Sequence, residues 1–243
     1  KIGKINYVVW SDVFGCPECL EEFAFYNEAI GIGAKKVHKI FKCPNCHAEL
    51  TKRSANRIYS SILDKDLNET IKQLKQVPVV INYTLDGIRY DKTPDSSDLS
   101  LIDKINNEKP LYWYPTDRMI DGHESRRNDK TGLTHVHHYY TVRNRAILAA
   151  LWGKTKSKFL RRSSIVWSAS NIHLNKMRRW QPVKPGGTPG LSGTLYVGST
   201  LVELSPFDGV PRKIRDIAKS FRMIQKRLSV TETCSAFAEH RPL

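Results

Sequence analysis

The chain has 243 residues, 40% of them hydrophobic, and carries a formal net charge of +15 with a pI near 9.6. That is enough apolar material for one large or two small domains, and the charge favours a polyanionic partner. No run of about 18 apolar residues occurs, which argues against a membrane span, and Lys1 to Tyr7 lack the apolar stretch of a signal peptide. The sequence has no initiating Met and opens in mid-pattern, as though cut from something longer.

The first distinctive element is a pair of knuckles, Cys16-Pro17-Glu18-Cys19 and Cys43-Pro44-Asn45-Cys46, separated by 23 residues. Two close pairs of thiolates can close a tetrahedral Zn²⁺ site. All four positions are filled by protein, so the ion would be structural. A redox Cys-x-x-Cys reading needs a single pair on a strand-helix turn, which two matched pairs fit poorly. Phe23, Phe25, Val37 and Ile40 read as two short arms held by the metal, and Gly31-Ile32-Gly33 as the tip between them, since the third glycine of a dinucleotide loop is missing. The remaining Cys234 has no pair, so the cysteine usage fits a reducing cytoplasm.

Residues 59–76 read as a polar linker entering a short helix. Val77–Leu85 and Ile88–Lys92 flank Asp86-Gly87, a hairpin signal. Asp95 to Asn107 predicts a capped helix with Leu99, Ile102 and Ile105 on one face. Leu111–Pro115 is aromatic and extended, and 116–129 reads as a long polar loop. Gly132 to Tyr140 alternates like a strand, and Thr141 caps a helix that stops at Gly153. Pro185 to Gly190 predicts a mobile loop, Leu191–Val202 a strand with Gly193 and Gly198 as bulges, and Pro211 the start of a last helix. That helix has an apolar stripe (Ile214, Ile217, Ala218, Phe221, Ile224, Leu228) and a basic outer face.

Charge is unevenly placed. From Lys154 to Trp180 there are eight Lys or Arg and no acid, a stretch that calls for phosphate as counter-charge. His135, His137 and His138 form a second constellation; in a strand, His135 and His137 would share a face and could chelate a metal, with Asp129 the nearest acid. Hydrogen-bonded histidines or phosphate contacts are the simpler alternative.

Several strings taken together resemble the central part of a family of bacterial site-specific DNA methyltransferases. They are Val9-Trp10-Ser11-Asp12-Val13-Phe14, Lys75-Gln76-Val77-Pro78-Val79-Val80-Ile81-Asn82-Tyr83, Tyr114-Pro115-Thr116-Asp117-Arg118-Met119, Thr134-His135-Val136-His137-His138-Tyr139-Tyr140-Thr141-Val142-Arg143-Asn144 and Leu191-Ser192-Gly193-Thr194-Leu195-Tyr196. The resemblance covers the chain to about Ala236 and implies an insert between two catalytic parts. One part holds S-adenosylmethionine on a Phe-x-Gly-x-Gly loop; the other grips a flipped base amine with Asp-Pro-Pro-Phe/Tyr. Neither motif occurs here, and Leu20 and His47 stand where the family's knuckles have glycine. The resemblance thus implies a methyltransferase piece, with S-adenosylmethionine a cofactor only of a complete parent enzyme.

The expected architecture is α+β: an N-terminal zinc ribbon (1–58), a linker helix, β-hairpin and short helix (59–110), then a basic mixed α/β domain (111–243). The expected function is engagement of double-stranded DNA in the bacterial cytoplasm, with the remaining methyltransferase segments or another subunit as further partner. Cys16, Cys19, Cys43 and Cys46 would hold zinc. Arg118, Arg126, Arg127, His137, Lys176, Arg178 and Arg179 would contact phosphate or base edges, and Trp180 would stack. Two alternatives are a metal-dependent nuclease built on the histidine cluster and Asp129, and a protein-protein adaptor using the ribbon acids Glu18, Glu21, Glu22 and Glu28.

Overall fold

The structure, a computed structural model, describes residues 2–31, 33, 36–108, 111–155, 160–188 and 193–228. The chain runs through β1 (Lys4–Gly15), β2 (Glu22–Ala24), α1 (Phe25–Ala29), β3 (Ile40–Lys42), β4 (Glu49–Thr51), β5 (Asn56–Arg57), β6 (Tyr59–Asp64), β7 (Glu69–Leu74), β8 (Gln76–Leu85) and β9 (Ile88–Lys92). Then come α2 (Ser96–Asn107), α3 (His123–Asp129), a 3₁₀ turn (Val136–Tyr139), α4 (Val142–Gly153), α5 (Leu160–Asn171), β10 (Arg179–Gln181), β11 (Lys184–Thr188), β12 (Thr200–Leu204) and α6 (Pro206–Leu228). The fold class is α+β. Among the described residues no helix is long and apolar enough to cross a membrane.

Strand β1 organises the molecule. The main antiparallel sheet has the order β11-β10-β12-β1-β8-β9, and the far end of β1 also pairs with β2 and β5. Val9 stands opposite Val202 on one side and Val80 on the other. From Tyr7 to Gly15 only Trp10 escapes full burial, because the sheet is covered on both faces and alternation is lost. On one face the cluster continues through Phe14, Phe23, Phe25 and Phe41 to Cys16 and Cys43. The rings of Phe25 and Phe41 meet edge to face at 5.8 Å, and each buried Phe contributes roughly 1.5–3 kcal/mol. The knuckle segment therefore shares its core with the sheet.

The boundaries expected at 58 and 110 do not coincide with separations in the fold. β1, from the first block, is hydrogen-bonded to β8 from the second and β12 from the third. Local patterning does not report such long-range pairing.

Several elements differ from expectation. Residues 59–76 form the hairpin β6–β7, with Ile62 opposite Ile71. Asp64 Oδ1 accepts the amides of Asp66 and Leu67, fixing the turn. The polar stretch 116–129 contains α3. Gly132–Tyr140 makes one bridge, Arg118 to His135, and then coils into the 3₁₀ turn. The glycine-rich run forms β11 as far as Thr188; Pro189 and Gly190 lie outside the described residues. The strand expected over 191–202 begins only at Thr200, with Leu191 and Ser192 outside the described residues. Helix α6 begins at Pro206 and carries Pro211 inside it. Its apolar stripe is largely uncovered, Ile214, Phe221 and Ile224 each being about half exposed.

Locally encoded features agree. Asp86 and Gly87 both take positive φ in the β8–β9 turn. Asp95 caps α2 by accepting from the amides of Ser97 and Asp98. Thr141 Oγ1 accepts from the Asn144 amide at the start of α4.

Candidate metal centre and basic face

The two knuckles are built alike. In the first, the Leu20 amide donates to Cys16 O and the Cys16 amide to Glu21 O; in the second, His47 donates to Cys43 O and Cys43 to Ala48 O. Each chain reverses through a left-handed residue, Leu20 at φ 64° and His47 at φ 60°. A glycine would take that conformation without Cβ strain.

The reversals bring all four sulfurs together. Cys16 and Cys46 lie 3.6 Å apart, as do Cys19 and Cys43, and the four atoms all fall within 4.8 Å of one another. A tetrahedral ion with bonds of about 2.3 Å would place its sulfurs about 3.8 Å apart, so the donor set fits a metal such as zinc. Cys16 and Cys43 are buried, Cys19 is half-buried and Cys46 is exposed. The Glu21 backbone amide points at the Cys19 sulfur and, with neighbouring donors, lowers its pKa to about 7 against the effect of burial. The Ala48 amide also lowers Cys46, but desolvation and then the surrounding sulfurs raise it to about 12. Thiolate formation is thus favoured at one edge of the cluster.

A second group is fully internal. Asp64, at the end of β6, accepts on Oδ2 from His137 Nε2 and His138 Nε2, each at 2.8 Å. Gly132 permits this meeting: at φ 78° it lies so close to β7 that a Cβ would sit 2.2 Å from the Lys72 carbonyl oxygen. Burial alone would raise Asp64, but hydrogen bonds from His138, His137 and the Leu67 amide hold it well below the usual carboxylate range. Burial lowers His138 to about 4, only partly opposed by Asp64.

Hydrogen bonding decides what this group can do. His138 Nδ1 accepts from the backbone amides of Thr134 and His135. A neutral imidazole with an acceptor Nδ1 must carry its proton on Nε2. That proton points at Asp64, so His138 has no lone pair to offer an ion there. The trio acts as an internal clamp between the β6–β7 hairpin and the 3₁₀ turn. The nuclease constellation expected from the sequence is not assembled: Asp129 is engaged by Arg118 and Arg126, and His137 and His138 turn to Asp64 instead.

A third buried group is Glu203 on β12. It accepts from Trp10 Nε1 at 2.8 Å, Thr141 Oγ1 at 2.6 Å and both Nε and Nη2 of Arg143, at 3.0 and 2.8 Å. This bidentate pair ties α4 to the sheet. Glu203, Asp64, Arg143 and Lys176 border a cleft of about 440 Å³ beneath α2 and the β6–β7 hairpin, lined also by Ile62, Ile71, Ile102 and Ile105.

Most residues nominated for DNA contact have internal partners. Arg118 pairs with Asp129 at 3.2 Å, Arg126 donates to Met119 O at 2.7 Å, and Arg127 pairs with Glu124 at 2.6 Å. Arg178 donates to the carbonyls of Gly186 and Gly187, holding the β10–β11 turn. His137 is buried on Asp64, and Trp180 packs edge-on against Tyr26 at 5.1 Å. Arg179 lies over the Tyr196 ring at 5.9 Å. Lys176 is partly buried between the cleft and the end of β1. Lys156 and Lys158, part of the acid-free stretch, lie outside the described residues.

Sequence reasoning missed Asp64 and Glu203. Neither sits in a motif; only partners 73 and 62 residues away define them. Compared with known protein families, curated proteins and solved structures, the chain matches none.

Proposed function

We propose that this chain is the DNA-engaging portion of an S-adenosylmethionine-dependent DNA methyltransferase, braced by a structural zinc ion on Cys16, Cys19, Cys43 and Cys46 as a zinc ribbon. The cofactor and the base-gripping motif would come from segments absent from these 243 residues, since neither sequence motif occurs in them. The observation that carries this is where the family-like strings fall. Val9–Phe14 lies in β1, and Lys75–Tyr83 runs into β8 beside it. Thr134–Asn144 supplies His137, His138, Thr141 and Arg143, which bind the buried carboxylates of Asp64 and Glu203. Three of the five resembling strings therefore supply central strands and the side chains that tie other elements to them. The net charge of +15 supplies the attraction to a duplex.

Zinc in this role would hold the two arms and contribute folding energy, with no chemistry at the metal. Duplex binding over a salt series tests the DNA half. Log affinity is expected to fall linearly with log salt, by about 0.9 for each phosphate contact; a salt-insensitive affinity would overturn it.

A further inference from the structure

A second cavity, of about 70 Å³, opens where the knuckle arm, the β6–β7 hairpin, α3 and the segment before β12 converge. Its walls bring together Lys52 from the turn after β4, Arg57 from β5 and Lys176 from the turn before β10. Among the described residues none of these three has an ion-pair partner. The one carboxylate on the wall, Asp12, is buried and accepts from Gln76 Nε2 at 2.9 Å. Three cationic residues thus line the cavity with one carboxylate, the Lys52 ammonium also lying 5.4 Å from the centre of the Phe25 ring.

Surplus positive charge in a partly desolvated wall is unfavourable until a counter-ion enters. The lysines show the strain. Burial lowers Lys176 to about 8, with the Arg145 charge adding to it, and burial followed by the Arg57 charge lowers Lys52 even against Asp12. Arg118, Arg126, Arg127 and Arg178 are spent on internal carbonyls and carboxylates, whereas Lys176, also nominated from the sequence, and Lys52 and Arg57 are not.

Size narrows the ligand. The volume matches about two waters at about 30 Å³ each, so a tetrahedral oxyanion fits and a nucleobase does not. At the mouth, Arg57 is exposed and Tyr196 is partly exposed beneath the Arg179 guanidinium, a surface suited to the rest of a phosphoester. We propose that this cavity is a phosphate-binding site, in which Lys52, Arg57 and Lys176 receive the oxyanion of a phosphate ester. A DNA backbone phosphate and a free phosphate share that chemistry. The first source rests on the DNA reading above, while the site itself does not.

The test compares wild type with Arg57→Gln, Lys52→Met and Lys176→Met, and with Lys219→Met on the exposed side of α6 as control. Inorganic phosphate is titrated calorimetrically against chloride at matched ionic strength, and a 20-base-pair duplex is titrated in parallel. Each of the three variants is expected to weaken phosphate or duplex binding by about tenfold or more, while Lys219→Met leaves both nearly unchanged. Arg57 is exposed, so its variant keeps the test open if a lysine variant misfolds. Weakened duplex binding, with a salt slope shallower by about one, assigns the backbone phosphate as ligand. Weakened phosphate binding without any change toward DNA keeps the site and removes its link to DNA. If the variants change neither, or if Lys219→Met loses as much, the site is overturned, even where the duplex still binds.

Discussion

Acid should loosen this molecule first at His138. In the unfolded chain this histidine protonates near its ordinary pKa of 6.5; in the native protein burial holds it to about 4. As pH falls from about 6.5 to about 4 the unfolded state takes up a proton that the native state refuses, so stability falls across that window and is fully present above it. A gap of about 2.5 pH units at about 1.4 kcal/mol each gives a loss of about 3.5 kcal/mol across the whole window. His138 is only 5% exposed, so solvent screening trims this little. Below about 4 the Asp64 contribution goes too, because its native pKa lies well under the unfolded carboxylate value. The assay is guanidinium unfolding at pH 8 and pH 4.5 for wild type and His138→Gln. The four-cysteine cluster is common to both, so any acid lability of its own cancels in the difference. Between pH 8 and pH 4.5 wild type is expected to lose about 2.5 kcal/mol more than the variant. Equal losses, or an NMR titration placing His138 near 6.5, would refute the reasoning.

Other outcomes follow from the same geometry. Cys43→Ser removes a buried thiol and should release the metal at neutral pH, read with a chromogenic chelator, and lower stability by at least about 3 kcal/mol out of apparent zinc-site energies of about 10–16 kcal/mol. Leu20→Gly and His47→Gly relieve left-handed backbone strain, and each should raise the guanidinium midpoint by the equivalent of about 0.5–1 kcal/mol. Glu203→Gln leaves the Arg143 guanidinium without its carboxylate and should cost about 3 kcal/mol in thermal unfolding. The double change Glu203→Met with Arg143→Met should cost less than Glu203→Gln alone; a larger loss would argue that Trp10 and Thr141 dominate the network.

What could be read from the sequence was local. Asp95 and Thr141 cap helices within four residues of themselves, Asp86-Gly87 turns a hairpin on its own φ angles, and a Cys-Pro-x-Cys spacing fixes each knuckle. Structure departs from local pattern where distant contacts override it. Residues 59–76 have irregular apolar spacing, and pairing across a turn capped by Asp64 makes them strands. Gly186 and Gly187 were expected in a mobile loop, yet Arg178 donates to both carbonyls and fixes them in β11. Alternation predicts the histidines on a strand, whereas a 3₁₀ turn points two adjacent rings at one carboxylate far away in the chain. Sequence displays the charge of basic residues and conceals their partners. Arg126 and Arg178 are the clearest cases, both held by backbone carbonyls.

The central claim is that four sulfurs from two matched knuckles hold one ion and fix the knuckle arms onto the sheet. X-ray absorption at the zinc edge on purified protein tests it directly. The expected result is one zinc per chain in a shell of four sulfurs at about 2.3 Å. Substoichiometric metal, or a shell of nitrogen and oxygen pointing to Asp64 and His137, would contradict it.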